Sequence, residues 1–108
     1  LAFLAYGGVG VIGVATHWSA PEHQQMITAF KNGDVATARK MNDILLESYA
    51  FETGDDNPNP IPSKVMMNLL GFSVGECRLP MGPPPAGLDA RAQTVLNNLE
   101  KARAVLRG

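Results

Sequence analysis

The sequence predicts a mostly α-helical segment with a single buried β-strand near its N-terminus. Residues Val9 to Ala15 form a short, uncharged apolar run that follows two glycines, as is typical of a strand buried on both faces. Apolar residues recur at helical spacing through most of the remaining chain. Because a lone strand cannot form a sheet, we expect these 108 residues to be part of a larger protein.

Local signals set the bounds of the first elements. Leu1 to Tyr6 are predicted to be the end of a helix, closed by Gly7-Gly8, where glycine permits a left-handed cap. A second helix is predicted to follow Ser19, which with Glu22 three residues later has the form of a capping box. The pair Asn32-Gly33 is expected to end that helix.

Three further helices are predicted after these, joined by proline-rich connectors. Asp34 is a candidate N-cap for a helix that continues to Phe51. Pro62 is expected to open a short helix that ends at Gly71, and a last helix begins near Asp89. The residues expected on their buried faces are Val35, Ala38, Met41, Leu45 and Tyr49, then Val65, Met66, Leu69 and Leu70, then Ala92, Val95, Leu99, Ala102 and Leu106.

The composition is that of an ordinary globular domain, with 45% hydrophobic and 18% charged residues. The net charge of −1 and the lack of long basic runs argue against a nucleic-acid or membrane-surface partner. The apolar start from Leu1 to Ala15 is shorter than the ~20 residues that cross a bilayer. Cys77 is the only cysteine, which excludes an internal disulfide and predicts a reducing, cytoplasmic location.

Two motifs suggest ligands but are weak. Gly8 to Gly13 match G-x-G-x-x-G by letter, yet the expected helix starts only after Ser19, and no second strand with an acidic end follows. A dinucleotide site is therefore a minor alternative. His17, His23 and Cys77 have no metal-ligand spacing, and we interpret the histidines as surface or interface residues. We expect no metal and no cofactor.

A third motif suggests a protein partner. Arg78-x-Pro80-x-x-Pro83 is similar to the polyproline ligands of SH3 domains. This leaves open a non-enzymatic helical interaction module as an alternative function. The apolar faces of the flanking helices need a shared core, however, and this favours a packed connector.

Four segments together resemble one family. Gly7 to Val14, Asn32 to Arg39, Asn59 to Lys64 and Arg78 to Met81 occur in the order and spacing of dihydrodipicolinate synthases. The resemblance extends over almost the whole chain, from Leu1 to Leu106. The glycine-rich strand alone would indicate only the wider superfamily of pyruvate-lysine aldolases, which includes N-acetylneuraminate lyase.

The resemblance implies the C-terminal third of a (β/α)₈ TIM barrel. Residues 1–33 would be the end of the barrel, with the tail of its seventh helix, its eighth strand and its eighth helix. Residues 34–108 would be a helical extension that follows the barrel. The length agrees with a part of such a fold, because a closed barrel of this kind takes ~250 residues.

The resemblance also implies an activity for the complete protein. The family joins pyruvate to aspartate semialdehyde through a lysine Schiff base, in the biosynthesis of lysine and diaminopimelate, and its members are homotetramers. Its catalytic lysine, tyrosine and tandem threonines lie on earlier strands, so the 108 residues alone should be inactive. An N-acetylneuraminate lyase-like activity is the enzymatic alternative.

A few site residues carry over by position. Ile12 matches the eighth-strand isoleucine whose backbone carbonyl lines the pyruvate pocket, and Gly13 stands where the family often has serine. Active sites in this fold lie at the C-terminal ends of the strands, which agrees with such a role for Ile12. Ala2, Ala5 and Tyr6 match a helix end near a subunit contact, and they are candidate interface residues.

Overall fold

Five α-helices make up the regular structure of the chain in a computed structural model that describes residues 1–107. They are α1 (Ala2–Ala5), α2 (Thr16–Lys31), α3 (Val35–Glu52), α4 (Ile61–Leu69) and α5 (Leu88–Arg107). The mostly helical character is as predicted. Gly108, the last residue of the predicted extension, lies outside the described residues.

The predicted strand is not formed. Residues 9–15 have an irregular backbone, and no strand occurs within residues 1–107. The segment is not buried on both faces either, because Val9 is 81% exposed, Val11 is exposed and the Ile12 side chain is in full contact with solvent. A strand exists only when a neighbour completes its hydrogen bonds, and nothing in the described residues offers one. The apolar run thus has the composition of a buried strand without a sheet around it.

The glycine pair ends α1 as the sequence predicts. Gly7 has a φ of +96°, and the Gly8 N–H donates to the Phe3 carbonyl at 2.7 Å, which is the arrangement of a Schellman cap. A Cβ on Gly8 would lie only 2.7 Å from that same carbonyl oxygen. Both positions therefore need glycine for local reasons.

Helix α2 is interrupted at Ser19, close to its predicted start. Ser19 has non-helical angles (φ −125°, ψ 27°), with one turn before it and the regular helix after it. The predicted capping box is wrong, because the Ser19 hydroxyl donates back to the Ala15 carbonyl at 2.7 Å. Glu22 does not return to the N-terminus of the helix and instead faces α5. Glu22 therefore pairs with Arg103 on α5 and not with a backbone N–H at the start of its own helix.

Helix α3 has the predicted cap. The Asp34 side chain accepts a hydrogen bond from the Thr37 N–H at 3.0 Å, which satisfies one of the free donors of the first turn. Hydrogen bonds from the side chain and then the backbone of Thr37 hold the pKa of the Asp34 carboxyl below its ordinary value. The preceding Gly33 has a φ of +80° and ends α2, so Gly33 and Asp34 together determine the turn between the two helices.

Helix α4 has Pro62 in its first turn and ends before Gly71 (φ +90°), as predicted, but its buried residues lie closer to its N-terminus than expected. Ile61 and Pro62 in its first turn are buried together with Val65 and Met66, whereas Leu69 and Leu70 are exposed. Val35 at the start of α3 is likewise exposed rather than buried. These residues lie at helix ends, where a periodic pattern does not show how far the neighbouring element reaches.

The proline-rich connector after α4 forms turns. The Arg78 carbonyl accepts hydrogen bonds from the N–H groups of Met81 at 3.0 Å and Gly82 at 3.3 Å. A polyproline II helix has no internal hydrogen bonds, so the segment does not have the conformation that SH3 domains bind. Cys77 and Met81 pack against the helices, as the interpretation of a packed connector requires.

Two hydrophobic clusters hold the helices together. The first lies between α2 and α3 and consists of Met26, Ala29, Ala38, Met41 and Leu45. The second joins α4 and α5 to the start of α2 and the end of α3, and consists of Ala15, Trp18, Phe51, Ile61, Val65, Met66, Leu88, Ala92, Val95 and Leu99. Within it the rings of Trp18 and Phe51 meet edge to face at 6.0 Å, and the Trp18 indole N–H donates to the buried Ser48 hydroxyl at 3.0 Å.

A nearly buried ion pair links the last helix to α2. Arg103 Nε donates to Glu22 Oε1 at 2.7 Å, and a second guanidinium nitrogen donates to Oε2 at 3.1 Å and to the Trp18 carbonyl at 3.1 Å. The Glu22 side chain is only 4% exposed. Its hydrogen bonds raise the pKa of Arg103 above its ordinary value. A bidentate pair of this geometry fixes the position of α5 along α2.

We expect Arg103→Leu to lower the free energy of unfolding by about 3–5 kcal/mol, because the Glu22 carboxylate then remains buried without a partner. The double variant Glu22→Leu/Arg103→Leu should recover most of this loss, since it leaves no unpaired charge. Urea unfolding at neutral pH measures both values. Equal losses in the single and double variants would contradict the assignment.

Candidate functional site

A cavity lies between the irregular glycine-rich segment and the helix pair α2–α3. Its volume is about 490 Å³. One wall is the backbone of residues 10–13, and α1 closes one side through Leu1, Phe3 and Leu4. The opposite wall is formed by His23, Met26, Ile27, Tyr49, Glu52 and Ala15. Most of this lining is apolar, with three polar side chains at one end.

The carbonyl of Ile12 is available for a ligand. The next three carbonyls along the chain all accept hydrogen bonds. The Gly13 carbonyl accepts from the Thr16 hydroxyl, and the Val14 carbonyl accepts from His17. The Ala15 carbonyl accepts from the N–H groups of Trp18 and Ser19. No hydrogen bond to the Ile12 carbonyl is found within residues 1–107. Within the described residues, Ile12 is therefore the last residue before α2 whose backbone acceptor has no partner, and its role at a substrate site stays a prediction.

Glu52, the last residue of α3, holds the end of this segment. Its Oε2 accepts a hydrogen bond from the Ala15 N–H at 2.8 Å, across 37 positions of the chain. Ala15 is only 1% exposed, so its N–H is shielded from water, while Glu52 is half-buried. A carboxylate that accepts a backbone N–H makes a stronger bond than a neutral acceptor does.

His23 and Tyr49 form a second polar contact in the cavity wall. His23 Nδ1 lies 2.8 Å from the Ser19 carbonyl, which can only accept, so Nδ1 carries a proton. In the neutral ring Nε2 then accepts from the Tyr49 hydroxyl at 3.0 Å. His23 is buried, which corrects its interpretation as a surface residue, whereas His17 is exposed. Burial and then the charge of Glu52 raise the pKa of Tyr49.

The other predicted site residues lie apart from the cavity wall. Ala2, Ala5 and Tyr6 are exposed on α1, as an interface would require, but they do not line the cavity with Ile12. In the described part of the chain, no three His, Cys, Asp or Glu side chains come together as a possible metal site. None of the described helices combines the length and the apolar character needed to cross a membrane.

Three polar residues of the site were not found from the sequence. Glu52, Tyr49 and His23 have an ordinary helical context, and the residues that they contact are distant along the chain. Tyr49 was expected only as part of an apolar face. The one available signal is the position of Glu52, directly after the buried Phe51 at the C-terminal end of α3. A carboxylate is unfavourable there because it lies at the negative end of the helix dipole. A carboxylate in that position needs a donor from elsewhere in the fold.

The chain belongs to the dihydrodipicolinate synthetase family, whose model matches residues 1–99. Members of this family are (β/α)₈ barrels. The five helices of this chain are consistent with a part of such a barrel.

Individual relatives are synthases. The chain is 40% identical over 103 residues to the 4-hydroxy-tetrahydrodipicolinate synthase of Listeria monocytogenes serotype 4a (strain HCC23), a match that covers 94% of this chain and 34% of the relative. It is 40% identical over 99 residues to the synthase of Cyanothece sp. (strain PCC 7425), covering 92% and 32%. The chain thus spans about a third of the length of the curated relatives it matches. No solved structure matches the chain.

Tyr49 should make stability depend on pH in the alkaline range. Its raised pKa means that the folded chain holds the phenolic proton more tightly than the unfolded chain, so stability is complete below about pH 10 and falls as pH rises through the folded pKa. Urea unfolding at several pH values measures this slope. Tyr49→Phe should flatten it, and an unchanged slope in that variant would assign the effect to another group.

Gly13→Ser should be tolerated. A Cβ on Gly13 would meet Val11 Cγ2 at 3.7 Å and Thr16 Cγ2 at 3.8 Å, which is ordinary van der Waals contact. We expect the free energy of unfolding to change by less than about 0.5 kcal/mol. Gly8→Ser is the matched contrast, because its Cβ would lie 2.7 Å from the Phe3 carbonyl oxygen. Thermal unfolding and amide exchange in α1 compare the two, and a similar loss in both would contradict the assignment.

Proposed function

We propose that the chain supplies one wall of the pyruvate site in a lyase that condenses pyruvate with aspartate semialdehyde, through a Schiff base on a lysine outside these residues. The family membership and the names of the relatives support the activity. The free carbonyl of Ile12, on a segment held at Ala15, is the observation that carries the site. In this role the carbonyl accepts a hydrogen bond from, or contacts, the bound pyruvate.

In the complete protein, residues 9–15 are the eighth strand of the barrel. The exposed side chains of Val9, Val11 and Ile12 support this, because the packed interior of a barrel and the helices around it would cover them. Residues 1–33 then complete the barrel, and residues 34–108 are the helical extension. We further propose a homotetramer in which Ala2, Ala5 and Tyr6 lie at a subunit contact, and their exposure on α1 agrees with this. A biosynthetic enzyme of this kind would act in the cytoplasm.

A chimera tests the proposal. Residues 1–108 replace the matching C-terminal third of the Listeria monocytogenes synthase, and the parent enzyme serves as the control. We expect the chimera to form a pyruvate adduct that borohydride traps, and to condense pyruvate with aspartate semialdehyde. The isolated chain should give no adduct, because the lysine is elsewhere.

Two results would contradict the proposal. One is a stable pyruvate adduct on the isolated chain. The other is a chimera that folds and assembles like the parent and yet neither traps pyruvate nor turns over aspartate semialdehyde. Cleavage of N-acetylneuraminate in place of the condensation would assign the chain to the alternative branch of the superfamily.

A further inference from the structure

We propose that Glu52 is a positioning residue that sets the Ile12 carbonyl in the pyruvate site. Glu52 belongs to the helical extension and not to the barrel segment, so it would give the extension a direct part in substrate binding. The inference rests on the proposed function, because it assumes that the Ile12 carbonyl meets pyruvate.

The contact itself is specific. Glu52 Oε2 lies 2.8 Å from the Ala15 nitrogen, three residues beyond Ile12. Within residues 1–107 it is the only side-chain hydrogen bond that joins residues 9–15 to a helix beyond α2. Ala15 has 1% of its surface exposed, so water does not compete for the N–H. Loss of the carboxylate would leave a buried donor unsatisfied.

The restraint at Ala15 extends to Ile12 through a short, bonded stretch. The carbonyls of Gly13, Val14 and Ala15 are all occupied by donors from the first turns of α2. These bonds restrict the backbone of Gly13 and Val14, the two residues between Ile12 and Ala15. Going back along the chain from Ala15, the first carbonyl without a hydrogen-bond partner in the described residues is that of Ile12. The proposed function assigns this carbonyl to pyruvate.

Glu52 is itself held in place by the core. Its neighbour Phe51 is buried against Trp18, and Tyr49, one turn earlier on the same helix, donates to His23 of α2. Two independent contacts between α2 and α3 therefore fix the end of α3 from which the carboxylate extends.

The experiment compares three substitutions in the active chimera. Glu52→Ala removes the acceptor, Glu52→Gln keeps an amide oxygen that can accept the Ala15 N–H, and Glu47→Ala is the matched control on an exposed turn of α3. Glu47 contacts Asn98 on α5 and nothing near the cavity. Both the KM for pyruvate and the KM for aspartate semialdehyde are measured, together with the melting temperature.

We expect Glu52→Ala to raise the pyruvate KM about tenfold, with little change in the aldehyde KM, because only the pyruvate contact is displaced. Glu52→Gln should restore the pyruvate KM to within about threefold of the parent chimera. Equal changes in both KM values, or an effect no larger than that of Glu47→Ala, would reduce Glu52 to a structural role and overturn the inference.

Amide hydrogen exchange of the 108-residue chain tests the anchor without any enzyme assay. Glu52→Ala should accelerate exchange at Ala15, Glu52→Gln should do so less, and Glu47→Ala should have no effect there. Unchanged exchange at Ala15 in Glu52→Ala would overturn the inference even if the chimera is active. An inactive but folded parent chimera together with the expected exchange pattern would instead contradict the proposed function.

Discussion

The backbone of Ala15 is the point on which the arrangement of this chain depends. Its carbonyl accepts from the N–H groups of Trp18 and Ser19 and from the Ser19 hydroxyl, while its N–H donates to Glu52. This one residue therefore ends the glycine-rich segment, starts α2 and binds the end of α3. These bonds satisfy the buried N–H and carbonyl of Ala15 and connect the three elements through it. The cavity beside Ile12 follows from that connection.

The helices could be predicted from the sequence because their signals are local. Asp34 caps α3 through Thr37, three residues away, and Gly33 ends α2 with a positive φ that glycine adopts without strain. Pro62 lies in the first turn of α4, where its missing N–H costs nothing. Each of these determinants acts within about one helical turn, so the residue types at a few neighbouring positions are sufficient.

The contacts of the site could not be predicted in the same way. Glu22 has the spacing of a capping box, yet it pairs with Arg103, 81 positions later, because burial makes a bidentate guanidinium a better partner than a single backbone N–H. Glu52 reaches Ala15 across 37 positions and His23 reaches Tyr49 across 26. A pattern within one helix identifies which residues face inward. It does not identify which of them meet.

The glycine-rich segment shows the same limit at the level of secondary structure. Val9 to Ala15 have strand composition, but a strand's hydrogen bonds belong to its neighbours, and within residues 1–107 the segment has none. Only its last three residues are bonded to partners among the described residues, and those partners lie on α2 and α3. Within the described residues the segment divides in two: residues 13–15 are bonded to α2 and Glu52, whereas residues 9–12 have no hydrogen-bond partner. Ile12 lies at the boundary between the two parts, and its carbonyl is the last one before α2 that has no partner in the described residues.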